Sequence, residues 1–123
     1  MNYNNILVVD DSSTARMIIK RCFDIAGFSS SNYFYAENGI DALTMIEKEK
    51  IDLIITDLNM PKMDGNNFIK KMRSENNNIP IIVISSVVNT LIEEEFKEFE
   101  ILGIIKKPVS PAKILEIVGE YEC

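Results

Sequence analysis

Four short apolar runs in this chain each end on a polar residue that can take part in chemistry. The runs are rich in isoleucine, leucine and valine, and segments with helical periodicity follow them, a pattern typical of buried parallel strands in βα units. Residues just past the carboxyl ends of such strands gather at one edge of the sheet, where ligands bind. We therefore expect these polar residues to share one pocket. The runs cover residues 6–9, 53–56, 81–84 and 104–106, and they lead into Asp10 and Asp11, Asp57, Ser85 and Lys107.

The helical segments have recognisable start and stop signals. Gly27 is placed to end the first helix, whereas Asn38 and Ser110 are placed to cap the second and the fifth. The second strand is the weakest, near residues 32–35, and residues 90–99 predict the fourth helix. The apolar faces of the helices are expected to carry Ala15, Ile18, Ile19, Cys22, Phe23, Ala26, Ile40, Leu43, Ile46, Phe68, Ile69, Met72, Leu91, Ile92 and Phe96.

Five repeats of strand followed by helix, joined by short connections, predict the fold class. Right-handed crossovers place helices on both faces of a parallel sheet. We therefore expect an α/β protein, a three-layer α/β/α sandwich around a five-stranded parallel sheet. At 123 residues the chain has the length of one domain. A chain of this size can bury roughly two-thirds of its unfolded surface, enough for a single core.

The composition excludes several kinds of protein. With 13 basic and 19 acidic residues the net charge is −6, which argues against a nucleic-acid-binding face and against binding to anionic membranes. No apolar stretch approaches the roughly 18 residues of a membrane span, and the N-terminus has no signal-peptide pattern. Cys22 and Cys123 form no disulfide framework, so we expect a soluble, reduced, cytoplasmic protein. Histidine is absent, which removes serine–histidine and cysteine–histidine catalytic pairs and most zinc sites.

The three aspartates at the strand ends predict a cation site. Asp10 and Asp11 can both lean into the crevice at the end of their strand, and with Asp57 they bring like charges together. Such crowding is unfavourable unless a cation neutralises it, and a hard divalent ion such as Mg²⁺ prefers carboxylate oxygens. The alternative is that Asp10 or Asp11 only caps the first helix beside Ser12 and Ser13.

Asp57 follows the third strand and is the candidate nucleophile. A carboxylate can attack a phosphoryl group and become an acyl phosphate, a reaction that depends mainly on positioning and charge neutralisation. Lys107 would supply positive charge and Ser85 a hydroxyl donor to a phosphoryl oxygen. Alternatively, Lys107 is a solvated surface lysine and Ser85 a turn residue. Lys106 is the rival lysine, but strand alternation should point it away from Lys107.

Taken together, these motifs resemble the receiver domain of two-component response regulators. They are the pair Asp10 and Asp11, the stretch Asp-Leu-Asn-Met-Pro-Lys-Met-Asp-Gly over residues 57–65, then Ser85, then Lys107 with Pro108. The resemblance covers essentially the whole chain in order and spacing. It implies a flavodoxin-like sheet with strand order 2-1-3-4-5.

The resemblance also implies roles for these residues. Asp57 would accept a phosphoryl group from a phosphohistidine on a sensor histidine kinase or phosphotransfer protein, a reaction that depends on Mg²⁺. Lys107, followed by a cis bond to Pro108, would pair with the phosphoryl group, and Ser85 would shift towards it on activation. Asp11 and Asp57 would bind the metal directly. The full set of implied ligands is Asp10, largely through water, Asp11, Asp57 and the backbone carbonyl of Asn59.

The chain departs from the family pattern near the fifth strand. An aromatic residue is common three positions before the strand lysine, but Ile104 stands there, so the signal would be relayed differently or more weakly. Ser86 stands where a smaller residue is common. The run of acidic residues in the fourth helix is either a solvated face or part of an output surface. In the family that surface is formed by helix 4, strand 5 and helix 5, and here it would fit a downstream effector with a basic groove. The run consists of Glu93, Glu94, Glu95, Glu98 and Glu100.

The resulting interpretation is a stand-alone, chemotaxis-type switch in which residues 1–123 form one receiver domain without an output domain. It would not be an enzyme for an external substrate, since phosphoryl transfer to and from itself is its only chemistry. A phosphorelay intermediate or a phosphate sink remains an alternative role. A flavodoxin-like cofactor carrier could use residues 12–14 as a phosphate loop. An aspartate-based, metal-dependent phosphatase is a third class, although Asn59 stands where its acid/base carboxylate should be.

Overall fold

The computed structural model describes residues 3–119, and strands and helices alternate along that part of the chain. The strands are β1 (Asn5–Val9), β2 (Asn32–Ala36), β3 (Leu53–Asp57), β4 (Ile81–Ser85) and β5 (Gly103–Lys106). The α-helices are α1 (Ser13–Phe23), α2 (Gly39–Lys48), α3 (Gly65–Ser74), α4 (Thr90–Lys97) and α5 (Pro111–Val118). Cys123 lies outside the described residues.

All strand pairs in the sheet are parallel, and the strand order is β2-β1-β3-β4-β5. In the centre of the sheet Val8 lies opposite Ile55, which in turn lies opposite Ile82. Both the predicted three-layer architecture and the strand order implied by the family resemblance are therefore confirmed. Because every strand runs the same way, the carboxyl ends of all five strands form one edge of the sheet.

Alternate side chains of each central strand enter different apolar layers. Val8 and Ile55 pack with α1 and α5, whereas Leu7 and Ile54 pack on the opposite face with α2, α3 and α4. The central strands are buried on both faces, which explains why their sequences are continuous apolar runs rather than alternating ones. This double covering packs the central strands on both faces up to the edge where they end.

Each of the five α-helices described begins at a residue whose side chain accepts a backbone N–H of the first turn. Asn38 and Ser110 have the predicted capping roles, with bonds of 2.9 Å from Asp41 N and 3.2 Å from Lys113 N. Gly27, predicted to end the first helix, has a left-handed φ of 111°. It lies inside a π-helical turn over Asp24–Phe28 that continues from α1.

For three residues the predicted inward orientation is wrong. Ile18, Ile40 and Leu91 are 50%, 47% and 80% exposed. Each lies beside a residue that faces the core, at the margin of the buried stripe of its helix, where none of the described elements covers it. The fourth helix also ends at Lys97 rather than at residue 99. Within residues 3–119, no helix combines the length and apolar character that crossing a membrane requires.

Candidate functional site

The edge formed by the strand ends brings the predicted polar residues together. Asp57 and Ser85 are the last residues of β3 and β4, and Asp10 and Lys107 directly follow β1 and β5. Asp10, Asp57 and Ser85 are buried, although each is polar. Their positions follow from the parallel sheet, because the apolar runs before them fill the two core layers and leave the first polar residue at the edge.

Three carboxylates form the acidic part of the site. One carboxylate oxygen from each of Asp10, Asp11 and Asp57 lies within 4.8 Å of the others. Asp11 is exposed, whereas the other two are covered by the surrounding loops. The cluster therefore has an open side through Asp11 and a buried floor, which suits an ion that keeps some of its water.

Asp10 has one satisfied and one unsatisfied carboxylate oxygen. Its Oδ1 accepts the N–H of Ser12 at 3.0 Å, and its buried Oδ2 has no hydrogen-bond partner within residues 3–119. Burial raises the pKa of the Asp10 carboxyl, the hydrogen bond from Ser12 opposes this shift, and the negative charge of Asp57 adds to it. Ser12, not an aspartate, caps α1, so the capping alternative does not account for Asp10 or Asp11.

Asp57 is held by two different donors. Its Oδ1 accepts the N–H of Leu58 at 2.8 Å, and its Oδ2 lies 3.2 Å from the Lys107 ammonium. A Cβ atom on Gly65 would overlap the carbonyl oxygen of Asp57 and approach the Cα of Leu58 to 2.9 Å. The first turn of α3 can therefore approach the end of β3 only because residue 65 is glycine.

Lys107 enters the site from the loop after β5. Its N–H donates to the carbonyl of Ser85 at 2.9 Å, and its bond to Pro108 is cis. The Lys107 side chain is 38% exposed, so the ammonium can reach both Asp57 and solvent. Lys106 is exposed at the end of β5, on the other side of the strand from the site residue that follows it.

The hydroxyl of Ser85 is bonded to the loop that follows it. It donates to the carbonyl of Val87 at 2.8 Å and accepts the N–H of Val87 at 3.1 Å. Asn59 is exposed in the loop between β3 and α3. Ile104 is half-buried and packs in the layer that contains α4, and every glutamate of the acidic run is exposed.

Arg16 is a site residue that the sequence did not single out. Its Nη1 donates to the backbone carbonyl of Asp10 at 2.7 Å, and its Nη2 lies 3.9 Å from Glu37 on the loop after β2. The guanidinium thus connects the loop after β1, which carries Asp10, to the loop after β2. The available signal was its position in the first turns of α1, because helix side chains tilt towards the N-terminus and so towards the preceding loop.

An apolar recess of about 390 Å³ adjoins the polar site. Ala15, Ile18 and Ile19 of α1 form one wall, and Pro108 and Val109 form another. Asp10 and Lys107 also line it. The site therefore combines a charged floor with an apolar surface that a protein partner could cover.

Comparisons with known proteins agree with this geometry. The family profile described as response regulator receiver domain matches residues 6–119. Sporulation initiation phosphotransferase F of Bacillus subtilis is 31% identical over 121 residues, covering 98% of this chain and 95% of that protein. Chemotaxis protein CheY-3 of Vibrio cholerae is 33% identical over 113 residues, covering 90% of this chain and 85% of that protein. The structure of the Vibrio cholerae chemotaxis response regulator CheY4 superposes with a TM-score of 0.79 at 29% identity, over 94% of this chain and 95% of that one.

Proposed function

This chain belongs to the response regulator receiver family, and on that premise we propose that it is a phosphorylation-dependent signalling switch with Asp57 as the phosphoacceptor. Receiver domains take phosphoryl groups from histidine kinases or phosphotransfer proteins, and they are switches rather than enzymes for external substrates. The observation that carries the assignment is the buried Asp57 carboxylate, 3.2 Å from the Lys107 ammonium and beside two further carboxylates.

The transfer step follows from the groups around Asp57. A carboxylate oxygen of Asp57 attacks phosphorus, a new O–P bond forms, and the N–P bond of the donor phosphohistidine breaks. The imidazole leaves with the bonding electron pair and takes up a proton from solvent. Lys107 neutralises charge on the transferring group, because its ammonium already lies against the attacking carboxylate. The donor histidine is external, since the chain contains none.

The donor set fits a Mg²⁺ ion. Asp10, Asp11, Asp57 and the backbone carbonyl of Asn59 would hold it. The buried Oδ2 of Asp10, which has no hydrogen-bond partner among the described residues, supports such a site. When bound, the ion supplies positive charge to the carboxylates and to the phosphoryl oxygens. The three carboxylates are oxygen ligands of the kind that Mg²⁺ prefers.

Donor and effector are proposed to use different surfaces. The recess lined by Ala15, Ile18, Pro108 and Val109 opens beside Asp10 and Lys107, so a donor protein can cover it while its histidine reaches Asp57. The downstream effector would bind the face of α4, β5 and α5. Exposed glutamates there, beside the exposed Leu91, favour an effector with a basic groove around an apolar pocket.

Within the family we propose a chemotaxis-type role, with a phosphorelay intermediate or phosphate sink as the second candidate. The similarity to a chemotaxis protein favours the first and the similarity to a sporulation phosphotransferase favours the second. A chemotaxis-type switch binds its effector only when phosphorylated, whereas a relay protein returns the phosphoryl group to a second histidine. That residues 1–123 function as one domain without an output domain stays a prediction.

Intact-mass measurement tests the assignment of Asp57. Incubation with Mg²⁺ and acetyl phosphate should add one phosphoryl group to the wild type and to Asp52→Asn, a control outside the site. No group should be added to Asp57→Asn or when Mg²⁺ is removed. Modification that survives Asp57→Asn would overturn the assignment. A coloured, flavin-bound protein would support the cofactor carrier, and turnover of an external phosphate ester would support the phosphatase.

A further inference from the structure

We propose that Lys113 is a positioning residue for Lys107, acting through the backbone on both sides of it. Lys113 lies in the first turn of α5, where its own N–H donates to Ser110 Oγ at 3.2 Å. Its Nζ donates to the carbonyl of Lys106 at 3.0 Å and to the carbonyl of Pro108 at 2.9 Å. One ammonium therefore binds the residue before Lys107 and the residue after it. The inference rests on the proposed function, because Lys107 is a site residue only there.

The Lys106 carbonyl is free to accept this bond because β5 is an edge strand. Lys107 directs its N–H towards the carbonyl of Ser85 on β4, so the neighbouring Lys106 directs its backbone groups away from β4. No other strand lies on that side among residues 3–119. Lys113 supplies the donor that a further strand would otherwise provide.

The loop after β5 has few backbone donors of its own. Pro108 has no N–H, so the peptide bond after Lys107 offers only a carbonyl. Beyond it, the Val109 carbonyl lies 3.7 Å from the Cys22 sulfur, a weak donor. The two bonds from Lys113 are charge-assisted and lie on either side of the backbone bond from Lys107 to Ser85. They fix the Cα of Lys107 at the place from which its side chain reaches Asp57.

The pairing of Lys107 with Asp57 is sensitive to this placement. The Lys107 side chain has a flexible stem of four methylene groups and is 38% exposed. The side chain alone therefore does not determine where the ammonium lies. A loop held at its two carbonyls restricts the ammonium to the site. Without Lys113, we expect the ammonium to spend more time in solvent and less beside Asp57.

Two variants of Lys113 and one control distinguish the loss of its hydrogen bonds from a change in net charge and from a failure to fold. Lys113→Met keeps a long apolar stem and removes the donors, whereas Lys113→Arg keeps both charge and donors. Lys70→Met, an exposed lysine of α3, is the control for losing one positive charge. Thermal melting identifies any variant that fails to fold, and Lys113→Arg tests the proposal even if Lys113→Met does not fold.

The first readout is the side-chain NMR signal of Lys107 in ¹³C-lysine-labelled protein without metal or phosphoryl donor, identified by its loss in Lys107→Arg. We expect the two Cε protons of Lys107 to have different chemical shifts in the wild type, in Lys113→Arg and in Lys70→Met. In Lys113→Met they should converge towards a single signal of a mobile lysine. The proposal would be overturned if the Lys107 signal were unchanged in Lys113→Met, or if the two Cε protons also converged in Lys113→Arg.

The second readout is the rate of phosphorylation of Asp57 by acetyl phosphate with Mg²⁺. The rate for Lys113→Met should fall about three- to tenfold, because two solvent-exposed contacts that act only indirectly on the Lys107 ammonium are lost. Lys113→Arg should react at the wild-type rate. A loss as large in Lys70→Met would assign the effect to net charge and reject positioning. If the wild type takes up no phosphoryl group, the proposed function fails, while the NMR signal of Lys107 still decides whether Lys113 positions it.

Discussion

The Ser85 hydroxyl both donates to the carbonyl of Val87 and accepts its N–H, at 2.8 and 3.1 Å. A hydroxyl has one proton, so Ser85 cannot donate to Val87 and to a phosphoryl oxygen on Asp57 at the same time. If Ser85 turns towards the phosphoryl group, its oxygen moves away from the loop between β4 and α4, and Val87 loses both its donor and its acceptor. The geometry offers a route from the site to α4 that requires no aromatic residue at position 104.

Substituting Ser85 should loosen this loop before any phosphorylation. In Ser85→Ala the Val87 amide loses its acceptor, so we expect its hydrogen exchange to speed up by about tenfold, the effect of roughly one hydrogen bond. Phosphorylation of the wild type should have a similar effect on the same amide. Hydrogen exchange resolved by NMR measures both. Ser86→Ala, an exposed neighbour, is the control, and equal exchange in Ser85→Ala and wild type would exclude the route.

Asp10→Asn should stabilise the protein in the absence of Mg²⁺. The Oδ2 of the buried Asp10 carboxylate has no partner in the part of the chain that the structure describes, and other carboxylates lie beside it. An amide could donate to one of them. We expect a gain in the free energy of unfolding on the order of 1 kcal/mol at neutral pH. Burial raises the pKa of Asp10, so the folded protein binds this proton more tightly than the unfolded chain. The wild type should therefore approach the variant in stability as the pH falls through the raised pKa.

Urea unfolding of both proteins across this pH range tests the prediction, with Glu94→Gln as the control for losing an exposed negative charge. Mg²⁺ should raise the midpoint of the wild type and of the control but have little effect on Asp10→Asn. An Asp10→Asn protein that is less stable than the wild type at neutral pH would contradict the account of Asp10.

Gly65→Ala should destabilise the fold by about 2 kcal/mol, because the new methyl group overlaps the backbone at the end of β3. The same overlap displaces Asp57, so phosphorylation by acetyl phosphate should slow as well. Asn67→Ala, exposed in the same helical turn, should stay within about 0.5 kcal/mol of the wild type. Denaturant unfolding measures both variants. Equal stability of Gly65→Ala and Asn67→Ala would show that α3 can move away from β3 without a loss of stability.

The Cys22 thiol should be unreactive in the folded protein. It is 8% exposed, and burial raises its pKa. Because the thiolate is the reactive form, its reaction with an aromatic disulfide should be at least about tenfold slower than in urea and should rise only at higher pH than for a free cysteine. Cys123→Ser leaves Cys22 as the one thiol to follow. Rapid reaction at neutral pH would mean that the interface of α1 with α5 opens readily.

Much of the fold could be predicted because its signals are local. The apolar runs of β1, β3 and β4 lie buried on both faces, as continuous apolar sequences require. Asn38 and Ser110 cap helices because their side chains bond to an N–H three residues later. The failures at Ile18, Ile40 and Leu91 have one cause: an apolar residue beside the buried stripe of a helix looks the same in sequence whether or not another element covers it.

The sequence could predict which residues lie at the candidate site, but not which atoms they contact. Strand-end position was enough to bring Asp10, Asp57, Ser85 and Lys107 to one edge. It could not show that Ser85 is bonded to Val87, or that Arg16 bonds to the backbone carbonyl of Asp10. These bonds involve backbone carbonyls, and every residue type presents a backbone carbonyl, so no sequence pattern identifies them.

By itself, the sequence determined the order of strands and helices and, to within one residue, the position at which each strand ends. These depend on side-chain type and on spacing within a few residues. Only the tertiary structure decided which oxygen of Asp57 meets Lys107, fifty positions later in the chain, and which carbonyls Lys113 binds. The physical reason is that a hydrogen bond needs its atoms placed to within a few tenths of an ångström. The packed sheet, and not the local sequence, determines placement of that accuracy.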